Sequence, residues 1–202
     1  METTLKTAAT SEPISLDEAK TQCRIDLDET MHDNDLIELI TDARIHIEDI
    51  TWRKLITQTW YAYFQDWPKG SYIELPFGEL QSVTAIKYTD VDNSQSTWSS
   101  AEYIIGTDYQ HGRITLDDGY TWPNENLYPS NPIEVEFVCG YGDTATDIPS
   151  PIRRAIRLVI SGLFENREPF IIGTIHKDLD TVKNLLSNYW LNFYPSNNVL
   201  IC

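Results

Sequence analysis

The chain has 202 residues, of which 41% are hydrophobic and 23% are charged. That length is sufficient for one large domain or two small ones, and the composition is typical of a folded globular protein. The formal net charge is -16, from 31 acidic and 15 basic residues. Tight nucleic-acid binding through clustered lysine and arginine is therefore excluded.

Neither a membrane span nor a secretion signal is indicated. No apolar run approaches the roughly 20 residues that cross a bilayer, and the N-terminal METTLKTAATSEP lacks the apolar core of a signal peptide. Three cysteines without CxxC spacing, Cys23, Cys139 and Cys202, suggest neither a disulfide framework nor a zinc site. We expect reduced thiols, no membrane partner and no cofactor.

The charge is unevenly distributed along the chain. Residues 11–50 carry twelve acids and three bases, and residues 56–147 carry fourteen acids and three bases. From residue 148 to the end there are four acids and six bases. Solvation of the surface is one explanation; the other is that different faces of the protein meet different neighbours.

The N-terminal part is predicted to form two helices. The stretch from Ser15 to Glu18 fits a capping box, in which each of these two side chains bonds the backbone N–H of the other residue. In the second helix, apolar residues at steps of four and three form one narrow stripe: Leu36, Ile40, Ala43, Ile47 and Ile50. Charged residues are expected off that stripe, at Asp42, Arg44, Glu48 and Asp49.

From residue 56 onward the hydrophobic period changes to two. Six short segments rich in β-branched and aromatic residues are separated by turn formers such as PKG and DDG: TWYAYFQDW, SYIEL, VTAIKY, EYII, GRITL and IEVEF. In the last segment Ile133, Val135 and Phe137 fall on one side, with Glu134 and Glu136 on the other. We expect an antiparallel region of about six strands with one buried face and one acidic, solvated face.

Helical periodicity returns at Ser150, where a cap is followed by a proline at the first helical position. The apolar face of this predicted helix contains Ile152, Ala155, Ile156, Val159, Leu163 and Phe164. Arg153, Arg154 and Arg157 lie outside that face. A last helix is predicted from about Asp178, with the apolar set Leu179, Val182, Leu185, Leu186, Tyr189 and Trp190.

This order of elements predicts an α+β fold, in which N- and C-terminal helices form a bundle and an antiparallel β module is inserted between them. Each helix pair alone buries too little surface to be stable, so the two pairs are expected to pack together. The predicted parts are N-terminal helices at 13–55, the β module at 56–147, C-terminal helices at 148–194 and a tail at 195–202.

Possible metal and catalytic sites have simpler explanations. Four carboxylates lie close together in the sequence, at Asp26, Asp28, Asp33 and Asp35. A calcium loop starting at Asp26 would need glycine where Met31 stands and glutamate where Ile37 stands, so helix capping explains these acids better. His46, His111 and His176 are isolated and lack a metalloprotease or nucleophile motif. We expect no catalytic residue.

The aromatic content of the β region leaves one enzymatic alternative open. Six tryptophans and eleven tyrosines could line a carbohydrate groove, and paired carboxylates for glycoside cleavage are defined by spatial separation rather than by sequence. Cross-strand packing is the simpler role for aromatic residues in small sheets.

Several strings, in order, resemble one protein family. They are PISLDEAKTQCRID, DLIELITDARIHIEDITWRKLITQTW, DWPKGSYIELPFGELQSVTAIKYTD, VEFVCGYGD, IPSPIRRAIRLVISGLFENRE and LLSNYW. Over about residues 13–190 the chain resembles the head-to-tail connector proteins of long-tailed bacteriophages, also called adaptor or head-completion proteins. The segment METTLKTAATSE is an extension relative to that family.

The resemblance implies a non-enzymatic protein of the virion neck, assembled in the host cytoplasm. Such proteins form a ring, commonly of twelve subunits, under the portal at the capsid vertex. The implied partners are the portal protein, further copies of the chain, and a stopper or tail-completion protein. DNA would pass through the channel without specific binding, since an acidic lining repels phosphate.

A subunit that closes a ring needs two different, complementary faces, because head-to-tail contact is heterologous. The helix arginines could meet an acidic face of the next subunit or remain solvated. Arg167 could pair with a carboxylate in its own subunit or in a neighbour, and the apolar tail could dock on a partner or pack on its own chain. The candidate interface comprises Arg153, Arg154, Arg157, Arg167, Glu168, Trp190, Phe193, Tyr194, Val199, Leu200 and Ile201.

Two rival functions remain open on sequence grounds. The first is a tail-completion protein of the same particle, which would contact the tail tube instead of the portal. The second is a carbohydrate-binding or glycoside-cleaving protein that uses the aromatic β region.

Overall fold

The structure, a computed structural model, describes residues 1–108, 110–165 and 175–191, with backbone alone for residues 175–180. Within these ranges the chain is mixed α+β, with four α-helices and two antiparallel sheets, as the sequence predicts. It divides into two compact units. The helical unit comprises residues 9–56 and 141–190, and the β unit comprises residues 1–8 and 57–140 together with Leu191.

The first helix of the helical unit, α1, spans Leu16–Cys23. The predicted capping box is confirmed, because the Ser15 hydroxyl accepts the Glu18 backbone N–H at 3.2 Å and Glu18 accepts the Ser15 backbone N–H at 3.0 Å. The helix ends at Arg24, whose left-handed backbone (φ 58°) lets its N–H reach carbonyls of the last turn.

Helix α2 spans Asp33–Thr51, and its predicted stripe faces the core. Leu36, Ile40, Ala43 and Ile47 are buried, and Ile50 is partly buried. Glu48 differs from the sequence-based expectation, because it is buried as well. Its carboxylate lies 3.3 Å from Lys54 Nζ and accepts the Leu55 backbone N–H at 3.1 Å. The Lys54 ammonium and the Leu55 backbone N–H, which come after α2 in the sequence, therefore make burial of this charge possible.

Helix α3 spans Ser150–Glu165, and its first turn is bonded to the Pro149 carbonyl. Ile152, Ala155 and Ile156 are buried as predicted, and so is Ile160, which the predicted apolar face omits. The expectation that Leu163 is buried was wrong, since 43% of it is exposed. Leu163 shares the helical face of Ile156, but at its end of α3 it lines an open groove.

Helix α4 spans Ile175–Leu186 and so begins three residues before the predicted Asp178. Val182 and Leu186 are buried against the other helices, whereas Trp190, just beyond the helix, is 43% exposed. The four helices share one apolar core, whose buried members are Ile14, Ala19, Leu36, Ile40, Ala43, Ile47, Leu55, Ile56, Ile148, Ile152, Ala155, Ile156, Ile160, Val182 and Leu186.

The β unit contains a five-stranded sheet of order β1-β2-β8-β4-β5 and a three-stranded sheet of order β3-β7-β6. The first is built from β1 (Glu2–Thr7), β2 (Gln58–Phe64), β8 (Ile133–Cys139), β4 (Leu80–Thr89) and β5 (Gln95–Thr97). The second is built from β3 (Tyr72–Glu74), β7 (Arg113–Leu116) and β6 (Tyr103–Gly106). All the strand pairs are antiparallel.

Strand β8 confirms the predicted alternation. Ile133, Val135 and Phe137 are fully buried, while Glu134 and Glu136 lie on the other face. That face is acidic but not unpaired, because Glu134 lies 3.7 Å from Lys87 and Glu136 lies 2.7 Å from Lys6. Lysines from the adjacent strand β4 and from β1, two strands away, thus balance the carboxylates of the central strand.

The N-terminal extension forms strand β1, which the sequence analysis did not predict. It pairs with β2 along Glu2–Thr7, and the register shifts between Leu5 and Thr7. Its residues are almost all exposed, so the period-two signal that reveals a half-buried strand is missing. The short strand β5 was missed for the same reason, since all three of its residues are exposed.

Candidate functional site

Arg153, one of the predicted interface residues, serves an internal contact. Its Nη2 lies 2.5 Å from Glu18 Oε1, and its Nε donates to the Pro13 carbonyl at 3.1 Å. Arg157, one turn later, lies 3.6 Å from the same Glu18 oxygen. Both arginines therefore fasten the start of α1 to α3 within the subunit.

Glu18 is held in its charged form by this arrangement. Burial by itself would raise the pKa of Glu18, but the hydrogen bond from the Ser15 backbone N–H and the positive charges of Arg153 and Arg157 outweigh it and lower the pKa below its usual value. The carboxylate thus both caps α1 and pairs with α3.

Arg154 is placed differently. It is exposed and has no ion pair with any residue in the described part of the chain. It lines an open groove of about 580 Å³ between α1 and α3. We call this the arginine groove, and its lining is Asp17, Glu18, Thr21, Gln22, Arg24, Arg154, Arg157 and Leu158.

A second open groove, of about 260 Å³, lies between α2 and the end of α3. We call it the acidic groove, and its lining is Asp35, Glu38, Leu39, Asp42, Leu163 and Phe164. Glu38 and Asp42 are exposed and form no ion pair with the residues that the structure describes, while Asp35 lies 4.0 Å from His32 Nδ1. The His32 ring in turn meets the Phe164 ring edge-on, with centroids 5.4 Å apart.

One of the carboxylates at the start of α2, Asp33, has a structural partner. The ammonium of Lys20, which is buried, lies 2.6 Å from Asp33 and also donates to the Leu27 and Glu29 carbonyls. Among the described residues there is no group of three or more His, Cys, Asp or Glu side chains that could hold a metal ion. No helix in the described ranges is long and apolar enough to cross a membrane.

Three tryptophans of the β unit, Trp67, Trp98 and Trp122, pack on one another. Trp67 stacks on Trp122 at a centroid distance of 5.3 Å, and Trp98 lies 5.5 Å from Trp67 and 4.9 Å from Tyr103. Trp98 is buried, with its indole N–H donated to Glu102 at 2.8 Å. These contacts favour the packing role of the aromatic residues over a carbohydrate groove.

The predicted interface residues are therefore not all brought together. Arg154 and Arg157 share a groove, Arg153 lies beside it, and Trp190 follows α4. The others fall outside the described residues: Arg167, Glu168, Phe193, Tyr194, Val199, Leu200 and Ile201.

Sequence reasoning missed the acidic groove. Its signal was present in α2, where Asp35, Glu38 and Asp42 recur at steps of three and four and so mark one face of the helix. What could not be inferred was that Leu163, from a distant part of the sequence, lines the same groove.

The structure resembles chains from gene transfer agent (GTA) particles. The chain from the neck of an empty gene transfer agent (GTA) particle, computed with C6 symmetry, aligns at a TM-score of 0.80 and 20% identity, covering 98% of this chain and 99% of the other. Chains from the virion of a native GTA particle and from the native neck computed with C12 symmetry align at TM-scores of 0.79 and 0.75, each at 19% identity with the same coverage. At these identities the likeness establishes the fold.

No curated protein matches this sequence. Residues 13–112 do match the sequence profile of the phage gp6-like head-tail connector proteins. The match begins just before α1 and ends just before β7, so it includes the two N-terminal helices and the first part of the β region that follows them. Residues 13–112 therefore belong to the family of phage gp6-like head-tail connector proteins.

Proposed function

We propose that this connector is a ring-forming subunit of the neck of a phage-like particle, located between the portal and the tail. The observation that carries the proposal is a likeness over nearly the whole chain, 98% of this protein and 99% of the other, to a chain from the neck of a GTA particle. The match of residues 13–112 to the connector family gives independent support.

The proposed ring contains twelve copies. A neck structure with the same fold was computed with C12 symmetry, and a closed ring of identical subunits needs a heterologous interface with two complementary faces. The arginine groove supplies one such face. Arg154 is exposed on it and has no ion-pair partner within the described part of its own chain.

The role of each arginine of α3 then differs. Arg153 keeps α1 in place through Glu18 and Pro13, so its effect on assembly is indirect. Arg154 is the residue available to a neighbour. Arg157 contributes to both, because it lies near Glu18 and also lines the groove.

In this proposal the ring extends the DNA channel below the portal and offers a docking site to a stopper or tail-completion protein. The net charge of -16 suits passage without binding. Carboxylates repel phosphate, whereas DNA-binding proteins gain affinity when their lysines and arginines neutralise phosphates and so release counterions from the DNA. The role is structural and requires no reaction centre.

The test is deletion of the coding sequence in cells that produce the particle, followed by electron microscopy. The expected result is full-size heads and finished tails that are not joined, with joined particles restored by expression of the wild-type chain. Normal tailed particles without the chain would contradict the proposal. So would unfinished tails on heads that keep a complete neck, because that result assigns the chain to tail completion.

A further inference from the structure

The lining of the acidic groove includes one large apolar side chain that is exposed in the described chain, Leu163. Leu163 is 43% exposed and lies at the end of a helix whose earlier apolar residues, Ile152, Ile156 and Ile160, are fully buried. Leu39 and Phe164 complete the apolar part of the lining. An apolar strip that continues from a buried helix face into an open groove is typical of a surface that a partner covers.

The three acidic residues that line the same groove, which we call its rim, indicate that the partner is positively charged there. Asp35, Glu38 and Asp42 are exposed on one side of α2, and Glu38 and Asp42 have no cation beside them in the described residues. A side chain with an apolar stem and a cationic end would cover Leu163 with the stem and pair its charge with the rim. Arginine has this form, and its planar guanidinium binds carboxylates in a fixed geometry.

The arginine groove presents that chemistry. Arg24, Arg154 and Arg157 line it, with Leu158 as an apolar neighbour. Arg24 stands at the left-handed end of α1, and Arg154 is the exposed arginine of the first turns of α3. One subunit thus carries a groove lined by three arginines and two acids and a groove lined by three acids and no arginine or lysine, and residues of α3 line both.

We propose that the acidic groove of one copy receives Arg154 and Arg24 of a second copy, and that this contact, repeated head to tail, closes the ring. The inference rests on the proposed ring function and assigns both faces of its interface. A heterologous contact between different patches of identical subunits requires such a complementary pair.

The test uses charge reversal in the full chain, by complementation of the deletion strain. Arg154→Glu and Glu38→Lys are each expected to lower the yield of joined particles by roughly tenfold or more, since repulsion replaces attraction at every contact around the ring. Lys69→Glu and Asp118→Lys, which reverse exposed charges in the β unit, are the matched controls and are expected to leave the yield unchanged.

Two rescues separate direct pairing from a general loss of charge. The double variant Arg154→Glu with Glu38→Lys restores the attraction with its sign reversed at every contact. Co-expression of the two single variants restores it as well, because in a ring of even order the two kinds of subunit alternate and each contact pairs opposite charges. Both rescues are expected to recover most of the wild-type yield.

The results that contradict the ring function differ from those that contradict only this interface. Normal tailed particles after deletion contradict the ring function itself. If deletion abolishes joining but both single reversals support wild-type yield, the function stands and this interface is overturned. It is also overturned if the single variants fail and neither rescue works, provided that thermal melting shows both variants folded. If either reversal fails to fold, Arg154→Gln and Glu38→Gln replace the pair, and unchanged yield with both contradicts the proposal.

Discussion

Glu18 Oε1 lies 2.5 Å from Arg153 Nη2, while the other carboxylate oxygen of Glu18 accepts the Ser15 backbone N–H at 3.0 Å. One side chain therefore closes the capping box of α1 and joins α1 to α3, which are distant in sequence. The arginine groove lies along this junction and Glu18 itself lines it, so the shape of the groove depends on the contact between Glu18 and Arg153.

Replacement of Glu18 tests this dual role. Glu18→Ala removes the cap partner and the partner of Arg153, and we expect a loss of about 1–2 kcal/mol in the free energy of unfolding, the scale of a lost helix cap. The measurement is urea denaturation followed by circular dichroism. Asp17→Ala is the matched control, because Asp17 is exposed in the same first turn; equal effects of the two substitutions would contradict the role of Glu18.

The same pair makes stability depend on pH. The pKa of Glu18 is lower in the folded protein than its ordinary value of 4.5, so the folded state binds this proton less readily than the unfolded chain. Its contribution is fully present above the unfolded pKa and is lost as pH falls through the folded pKa. The difference in stability between wild type and Glu18→Gln should therefore shrink below about pH 4.5; a difference that grows with acidification would show the opposite sign.

Replacement of Glu48 should destabilise the protein far more than replacement of its exposed neighbour Asp49. It is 3% exposed and lies near the cationic groups of Lys54 and Arg44, at 3.3 and 3.5 Å. Glu48→Ala removes the carboxylate that lies near Lys54 and accepts the buried Leu55 backbone N–H, while Arg44 keeps Glu12 at 2.8 Å. We expect a loss of about 1–3 kcal/mol in the free energy of unfolding. Asp49→Ala, at an exposed position of α2, is expected to change it by under about 0.5 kcal/mol. Similar losses would exclude a special role for Glu48.

Strand β1 is expected to protect the β unit. Removal of residues 1–8 exposes the ladder edge of β2, so we predict a lower melting temperature and concentration-dependent association, measured by differential scanning fluorimetry and light scattering. Lys6→Ala is the control, because it removes only the ion pair between Lys6 and Glu136 and keeps the strand. We expect it to change the melting temperature little, because Lys6 is exposed. A truncated chain that melts and scatters like wild type would contradict the role of β1.

The assembled protein is expected to repel duplex DNA. At about 0.15 M salt, where screening extends over about 8 Å, we predict no retention of a labelled duplex in a filter-binding or anisotropy assay. Micromolar or tighter binding that weakens steeply with added salt would show a cationic DNA contact and would contradict a channel through which DNA slides.

Elements that bury one regular face were predictable. The period of two placed Ile133, Val135 and Phe137 inside the sheet, and the capping box placed the start of α1, because both signals come from local geometry. Strand β1 carried no such signal, since its residues are almost all exposed and it is held by pairing with β2, more than fifty residues later.

The candidate site was predictable only in part, because the tertiary structure determines which charged residues pair with one another. The sequence placed Arg153, Arg154 and Arg157 together outside an apolar face, but it did not show that Glu18 engages Arg153 and leaves Arg154 exposed. The expectations that Glu48 is exposed and that Leu163 is buried were wrong for a similar reason. The position of each residue in its helix indicates which helical face it occupies. Whether that face is buried at that point depends on the segments that pack against the helix.

The central claim, a ring of identical connector subunits in the neck, is tested most directly by a reconstruction of the neck from purified particles, with this chain located by a small fused tag. The account predicts twelve equivalent copies between head and tail, with Arg154 of each copy against Glu38 and Leu163 of the next. Tag density in the capsid shell or at the tail tip, or a single copy on the particle axis, would contradict it.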